Sequence, residues 1–228
     1  MKIAEIEAIL INGDVSDGTI EQYKIALSRV PRAHRCQHCY TTAASFGVRH
    51  YNYAFDLIHY GLQYCDSWSD RMRAYYNMAI IYEQIKDYSS ALGCYAEALN
   101  AIPEEQKTLS YTSEYAAHLM RMEMHIHHFE YTEKLRQFYL LAIQADHFSR
   151  AFVKKVFYEA IAEIILFQKD GMLDEMKQSL YKANALLSDN YSGPLTSMLK
   201  RKGYTEITGA TKEALVFLNK MKKHISKR

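Results

Sequence analysis

One segment, YYNMAIIYEQIKDYSSALGCYAEALNAIP at residues 75–103, limits the possible folds of this chain more than any other. Small and aromatic side chains recur in it at helical intervals, followed by a proline: Ala79, Tyr82, Ala91, Tyr95, Ala98 and Pro103. Alanines let two helices approach closely, and tyrosine rings fill the space beside them. Because proline cannot continue a helix, Pro103 ends the second one. The segment predicts a pair of packed helices, with Tyr82, Tyr95 and Ala98 at the contact with the next pair.

Copies of this pattern occur earlier and later in the chain. Tyr23 to Pro31 aligns without a gap on Tyr95 to Pro103, and residues 50–62 align on residues 87–99, which pairs Gly61 with Ala98. The first helices of these copies align on the main segment through Ile3, Ile6 and Leu10, and through Ala43 and Phe46. A weaker copy is marked by Phe167, Met176, Leu180 and Ala183. These copies predict a series of similar helix pairs.

With Met72 as position 1, the main segment resembles the tetratricopeptide repeat (TPR), a 34-residue helix–turn–helix unit with large, small and aromatic residues at fixed positions. The resemblance extends over about 190 of the 228 residues. It implies an all-α fold, a TPR-like right-handed α-solenoid of about five helix pairs plus a C-terminal capping helix. Residues 1–192 are the predicted helical repeat domain, and residues 193–228 are basic capping helices of the same structural unit.

Apolar spacing near 3.6 residues predicts helices almost throughout the chain. Only 9 Gly and 3 Pro occur, and no alternating strand pattern is present. The predicted helices span roughly 2–12, 18–30, 33–48, 50–66, 69–85, 87–101, 105–127, 129–145, 147–168, 172–187, 193–203 and 209–225. In the last of these, apolar and lysine side chains fall mainly on opposite faces, as a helix that closes a stack requires.

The cysteines and the N-terminal residues bear on the cellular compartment. The segment MKIAEIEAIL places Glu5 and Glu7 where a signal peptide needs an apolar stretch. No apolar run approaches the ~18 residues that span a bilayer. These features predict a cytoplasmic chain that does not enter membranes. Its four cysteines are then expected to be reduced thiols; they are Cys36, Cys39, Cys65 and Cys94.

The TPR resemblance also implies a binding surface, because the first helix of each pair lines the concave face of such a solenoid. The residues predicted to line this groove are Tyr76, Asn77, Ile80, Glu83 and Gln84, with His118 and Arg121 from the next pair. An asparagine amide can bond to a peptide backbone, and tyrosine and isoleucine can bury peptide side chains. The predicted function is a scaffold or adaptor that binds a protein or peptide segment, without enzymatic activity and without a cofactor.

Other binding modes use different residues. The family's clamp for a C-terminal carboxylate is not expected, although Asn77 matches its middle asparagine. The positions of its Lys/Asn pair carry Tyr40 and Ala44, and those of its Lys and Arg carry Glu114 and His118. Residues 200–228 carry nine Lys and Arg against two Glu, a local charge of +7. The alternative function is therefore regulatory, as a sensor of signalling peptides or in association with nucleic acid through this basic end. Incomplete end repeats could also pair to form a homodimer.

Two groups of histidines and cysteines could bind a metal ion. They are His34, Cys36, His38 and Cys39, and then His125, His127 and His128. The first group combines thiol and imidazole groups as zinc sites do, but no second ligand pair follows it and Cys39 falls at a core position. The second group ends a predicted helix, where cationic side chains are favourable without a metal. No P-loop, HExxH or GxSxG motif occurs, so no catalytic residue is predicted.

Overall fold

A computed structural model describes residues 2–128 and 131–142 of the chain. These residues form eight α-helices and one short 3-10 helix, and no strand occurs among them, which confirms the all-α prediction for this part of the chain. The helices are α1 (Ile3–Ile11), α2 (Asp17–Leu27), α3 (Arg32–Phe46), α4 (Tyr51–Leu62), α5 (Trp68–Gln84), α6 (Tyr88–Asn100), α7 (Leu109–Ile126) and α8 (Glu133–Ala142), with the 3-10 helix at Glu104–Gln106. The helices predicted after residue 147, including the weak copy at 167–183 and the basic end, lie outside the described residues.

Short polar side chains define where several helices begin. Four of them accept a hydrogen bond from the backbone N–H three residues later, at 3.0–3.4 Å; they are Ser16, Ser67, Asp87 and Thr108. Such caps satisfy one of the unpaired N–H groups of a first turn. The cap at Thr108 explains why α7 begins at Leu109 and not at residue 105 as predicted. Residues 104–106 form the separate 3-10 helix, which follows Pro103.

The helices of the first compact unit, Met1–Lys107, pack in pairs that also contact one another. Helix α1 packs on α2, α3 on α4 and α5 on α6. Helix α3 lies between α1 and α5 and contacts both, and α4 also contacts α5. The largest buried side chains of α1–α4 are Ile6, Leu10, Tyr23, Leu27, Phe46, Leu57 and Ile58. One continuous core therefore joins successive helix pairs of this unit.

The second compact unit begins at Thr108, and in it α7 packs on α8. Glu123 of α7 is buried, and its carboxylate accepts a hydrogen bond from Thr132 at 3.1 Å. The same carboxylate lies 3.3 Å from the ring of His127 and 3.6 Å from the ammonium of Lys134. Burial of a carboxylate is tolerated only with such partners, so these contacts fix the start of α8 against the end of α7.

The small and aromatic positions of residues 75–103 are mostly buried, while the contact of Tyr95 and Ala98 with the next pair stays a prediction. Ala79, Ala91, Tyr95 and Ala98 are all fully buried. The ring of Tyr82 stacks on Phe55 of the preceding pair, with centroids 4.2 Å apart, so the prediction that Tyr82 faces the next pair is wrong. Met78 and Tyr82 are one turn apart and share the face of α5 that meets the core of α1–α4. This shared face places Tyr82 on the side of α5 that Phe55 occupies.

Two cysteines are linked, which corrects the prediction of four reduced thiols. Cys36 in α3 and Cys65, just after α4, form a disulfide bond, whereas Cys39 and Cys94 are free. The start of α3 lies beside the end of α4, as the bond between Arg32 Nε and Asp66 Oδ2 at 3.3 Å also requires. This arrangement brings together two cysteines that are 29 residues apart in the sequence. None of the described helices has the length and apolar composition needed to cross a lipid bilayer.

Candidate functional site

Five of the predicted groove residues lie on α5. Tyr76, Asn77, Ile80 and Glu83 are half-buried and Gln84 is exposed. The Asn77 side-chain amide donates to the Arg73 carbonyl of its own helix at 2.9 Å. Tyr76 and Glu83 both contact the buried Tyr95 of α6, through an edge-on ring contact at 5.7 Å and a hydrogen bond at 3.0 Å. Contact with Tyr95 therefore holds Tyr76 and Glu83 in place, while Ile80 keeps part of its apolar surface open to solvent.

The other two predicted groove residues lie on α7 in the second unit. His118 and Arg121 are only 7% and 4% exposed. Arg121 Nη2 lies 2.9 Å from His118 Nδ1. Because a guanidinium group can only donate, Nδ1 of His118 is the acceptor and its ring is neutral in this contact. This pair belongs to the interior of the second unit.

A polar network that the sequence did not predict joins α1, α2 and α3. Its centre is Glu7, whose Oε1 lies 2.7 Å from His38 Nδ1, 3.0 Å from the Tyr23 hydroxyl and 3.3 Å from the Thr42 hydroxyl. The Tyr23 and Thr42 hydroxyls are themselves 3.0 Å apart. Since a carboxylate can only accept, His38 Nδ1 and Tyr23 donate to it, and the Thr42 proton goes to Glu7 or to Tyr23. Three helices are therefore tied together through one carboxylate oxygen.

Burial fixes the protonation of two neighbouring groups. It raises the pKa of the Tyr23 phenol well above its usual value of 10.0, and the adjacent Glu7 carboxylate adds to the effect. Burial also raises the pKa of the Cys39 thiol to about 12, from 9.0. Tyr23 thus stays a hydrogen-bond donor at neutral pH. Cys39 stays a thiol, and a neutral thiol is a poor nucleophile and a poor metal ligand.

A cavity of about 350 Å³ opens beside this network, between α1 and α3. Its lining residues are Glu7, Ile11, Gln37, His38, Thr41 and Thr42. Carboxylate, imidazole, amide and hydroxyl groups thus converge on one space with a single large apolar side chain at its edge. The arrangement is suited to holding a polar group of a ligand.

The sequence contained a signal for this site. By the alignment of the helix pairs, Glu7 stands in α1 where Ala43 stands in α3 and Ala79 in α5. Both alanines are fully buried at helix contacts, whereas the Glu7 side chain is 21% exposed. A partly buried carboxylate, at a position where the other repeats have alanine, needs polar partners, and His38 and Thr42 provide them. From the sequence, His38 is predicted only as a possible zinc ligand, and Tyr23 and Thr42 are not predicted as site residues.

The structure places the two groups of possible metal ligands in different surroundings. Cys36 is bonded to Cys65, His34 is exposed and Cys39 is buried. Over residues 2–128 and 131–142, no three His, Cys, Asp or Glu side chains are arranged to hold a metal ion. His127 contacts the Glu123 carboxylate, while His125 is half-buried on the same helix end.

His125 makes the stability of the second unit depend on pH. Burial lowers the pKa of its ring from 6.5 to about 4, and the positive charge of Arg121 adds to this. Between these two values the unfolded chain takes up a proton that the folded chain does not, so the protein is expected to lose stability as the pH falls from about 6.5 to about 4. Urea denaturation at several pH values measures this loss. The loss of stability should be smaller in His125→Gln and unchanged in the control His34→Gln. Equal dependence of stability on pH in the two variants would contradict the role of His125.

No protein-family model, curated protein or solved structure matches the chain. Its function is therefore inferred from its own contacts. The cavity between α1 and α3 and the half-buried face of α5 each bring polar and apolar groups together. Both lie on odd-numbered helices of the first unit.

Proposed function

We propose that this protein is a scaffold of the TPR type that binds a protein or peptide segment on the face formed by the first helices of successive pairs. The packing of the first unit supports this proposal, because α3 lies between α1 and α5 while α2, α4 and α6 each pack on their own partner. A TPR solenoid is built from this order of contacts. The right-handed solenoid, its capping helix and the adaptor role belong to the same proposal.

The single observation that carries the proposal is the position of the cavity. Two of its lining residues, Gln37 and Thr41, align with Arg73 and Asn77 of α5 in the repeat alignment. In the TPR resemblance these positions point into the groove. The only large cavity-lining aliphatic side chain, Ile11, aligns with Glu83, another predicted groove position. Groove positions predicted from one repeat therefore line a cavity in another.

The mechanism is recognition without the making or breaking of bonds. The half-buried Tyr76 and Ile80 can cover apolar side chains of the bound segment. One amide hydrogen of Asn77 is used within α5, which leaves its carbonyl oxygen to accept a backbone N–H of the segment. Such contacts supply affinity and register in helical-repeat grooves.

Binding is tested with peptides selected from a random-peptide display library on the full chain. The double substitution Tyr76→Ala and Asn77→Ala should weaken binding at least about tenfold, as expected for the loss of an aromatic anchor and a hydrogen bond. Fluorescence anisotropy measures affinity, and far-UV circular dichroism checks that helix content is kept. The control, Ser89→Ala with Asn100→Ala, changes two exposed residues of α6 and should bind as the wild type does.

Two outcomes would contradict the proposal. Equal affinity of both double variants would place the binding surface away from α5. Recovery of no peptide, together with nucleic-acid binding that falls steeply with salt and needs residues 200–228, would favour the regulatory alternative. Those residues lie outside the described part of the chain.

A further inference from the structure

The cavity between α1 and α3 presents almost only hydrogen-bond acceptors. His38 Nδ1 and the Tyr23 hydroxyl each donate a hydrogen bond to Glu7, and the Thr42 hydroxyl donates to Glu7 or to Tyr23. The Thr41 hydroxyl donates to the Gln37 carbonyl of its own helix at 2.6 Å. Every hydroxyl and ring hydrogen of the lining is therefore used inside the protein. The side-chain amide of Gln37 is the one lining group that still has hydrogens to donate.

Besides the side-chain oxygen of Gln37, three lone-pair atoms remain for a ligand. They are Glu7 Oε2, His38 Nε2 and Thr41 Oγ1, and no described residue donates a hydrogen bond to any of them. In the tautomer of His38 that carries its hydrogen on Nδ1 and donates it to Glu7, the other ring nitrogen, Nε2, has a lone pair. Lys24 of α2 forms an ion pair with Asp56 of α4 at 2.7 Å and forms none with Glu7. The cavity thus combines a negative charge with three acceptors.

We propose that this cavity receives the positively charged end of a lysine or arginine side chain from the bound segment. An ammonium or guanidinium group supplies donors for all three acceptors and a charge opposite to that of Glu7. Ile11, which is 49% exposed, lies at the cavity and can cover the methylene stem of such a side chain. An acidic side chain or a phosphate group would be repelled, because its acceptor oxygens would face the acceptor atoms and the negative charge of the cavity. This inference rests on the proposed peptide-binding function and adds the residue type that the protein selects.

The main test combines a change in the peptide with a change in the protein. In a peptide selected on the wild-type chain, each lysine or arginine is replaced in turn by norleucine, which keeps the aliphatic stem and removes the charge. At one position the replacement should weaken binding at least about tenfold, as expected for a lost charge-assisted hydrogen bond. In Glu7→Gln the same replacement should change the affinity less than about twofold, because the partner charge is already gone.

The control and a second variant keep this test decisive. Glu21→Gln removes a charge from an exposed position of α2 and should leave the tenfold effect intact. Thr41→Val removes one acceptor at an exposed position without touching the bonds of Glu7, and it should reduce the effect even if Glu7→Gln folds poorly. Peptides that bind with no preference for a basic residue, in the wild type and in all variants, would overturn this inference and leave the proposed function standing.

A second probe does not depend on peptide binding. Nα-acetyl-lysine methylamide, added at millimolar concentrations to the full chain, should shift the NMR signal of the His38 ring, which is assigned from its absence in His38→Gln. The matching norleucine amide should not shift that signal, nor should the lysine amide in Glu7→Gln. A shift without any peptide binding would support the cavity and contradict the scaffold. Absence of a shift, or a free alkyldiamine that binds more tightly than the best peptide, would overturn the assignment to a side chain.

Discussion

Reduction of the bond between Cys36 and Cys65 is expected to lower the free energy of unfolding by about 3–4 kcal/mol. The two cysteines are 29 residues apart, so the bond closes a loop that contains most of α3 and all of α4 in the unfolded chain. Loss of the bond increases the conformational entropy of that unfolded chain, which is the main source of disulfide stabilisation in the loop-closure model. Urea denaturation with and without dithiothreitol measures the effect.

The matched control for this experiment is the double variant Cys36→Ala and Cys65→Ala. Its stability should be close to that of the reduced wild type, and dithiothreitol should not change it, because Cys39 and Cys94 are not bonded. Alkylation under denaturing conditions without reductant should label two cysteines of the wild type and four after reduction. Four labelled cysteines without reductant would mean that all four thiols are reduced, as predicted from the sequence.

The helices and their pairing along the chain could be predicted from the sequence, whereas individual side-chain contacts between helices could not. Apolar periodicity and the turn residues gave α1–α8 at nearly their observed positions, since a helix is set by residues three and four apart. The Cys36–Cys65 bond requires knowing that the start of α3 lies beside the end of α4. The sequence predicts a helix–turn–helix pair there, but its N-terminal residues favour a cytoplasmic chain with reduced thiols.

The candidate site was missed for a related reason. Glu7 meets His38 and Thr42, which follow it by 31 and 35 residues, so no spacing within one helix indicates the network. The repeat alignment does show one departure from the repeat pattern, because Glu7 stands at the position that Ala43 and Ala79 occupy in the later repeats. In a series of copies, a charged residue at a packing position needs partners from neighbouring helices. A charged residue at a packing position therefore indicates a possible site, whereas the positions that follow the repeat pattern indicate only the core.

Gly61 is a second departure, and Gly61→Ala is expected to destabilise the first unit. The aligned residue in α6 is Ala98, yet a Cβ added at Gly61 would lie 2.5 Å from Cβ and 3.1 Å from Sγ of Cys39. Two non-bonded carbon atoms do not approach as closely as 2.5 Å. Cys39 Cβ cannot move away by itself, because it is bonded to the backbone of α3. Helices α3 and α4 would have to move apart, against the bond that joins Cys36 to Cys65. Overpacking of this kind costs about 1–3 kcal/mol.

Gly93→Ala is the matched control, because Gly93 also lies within a helix but a Cβ there would have no neighbour within 4 Å. Both substitutions gain the helix propensity of alanine, about 0.5–1 kcal/mol, so the difference between them isolates the packing term. We expect Gly93→Ala to be more stable than the wild type and Gly61→Ala to be about 1–3 kcal/mol less stable than Gly93→Ala in urea denaturation. Equal unfolding midpoints of the two variants would contradict the close contact between α3 and α4 at Gly61. Combining Gly61→Ala with Cys39→Ala, which removes the Sγ but keeps the Cβ, should restore only a part of the loss, since the closest contact is with Cβ.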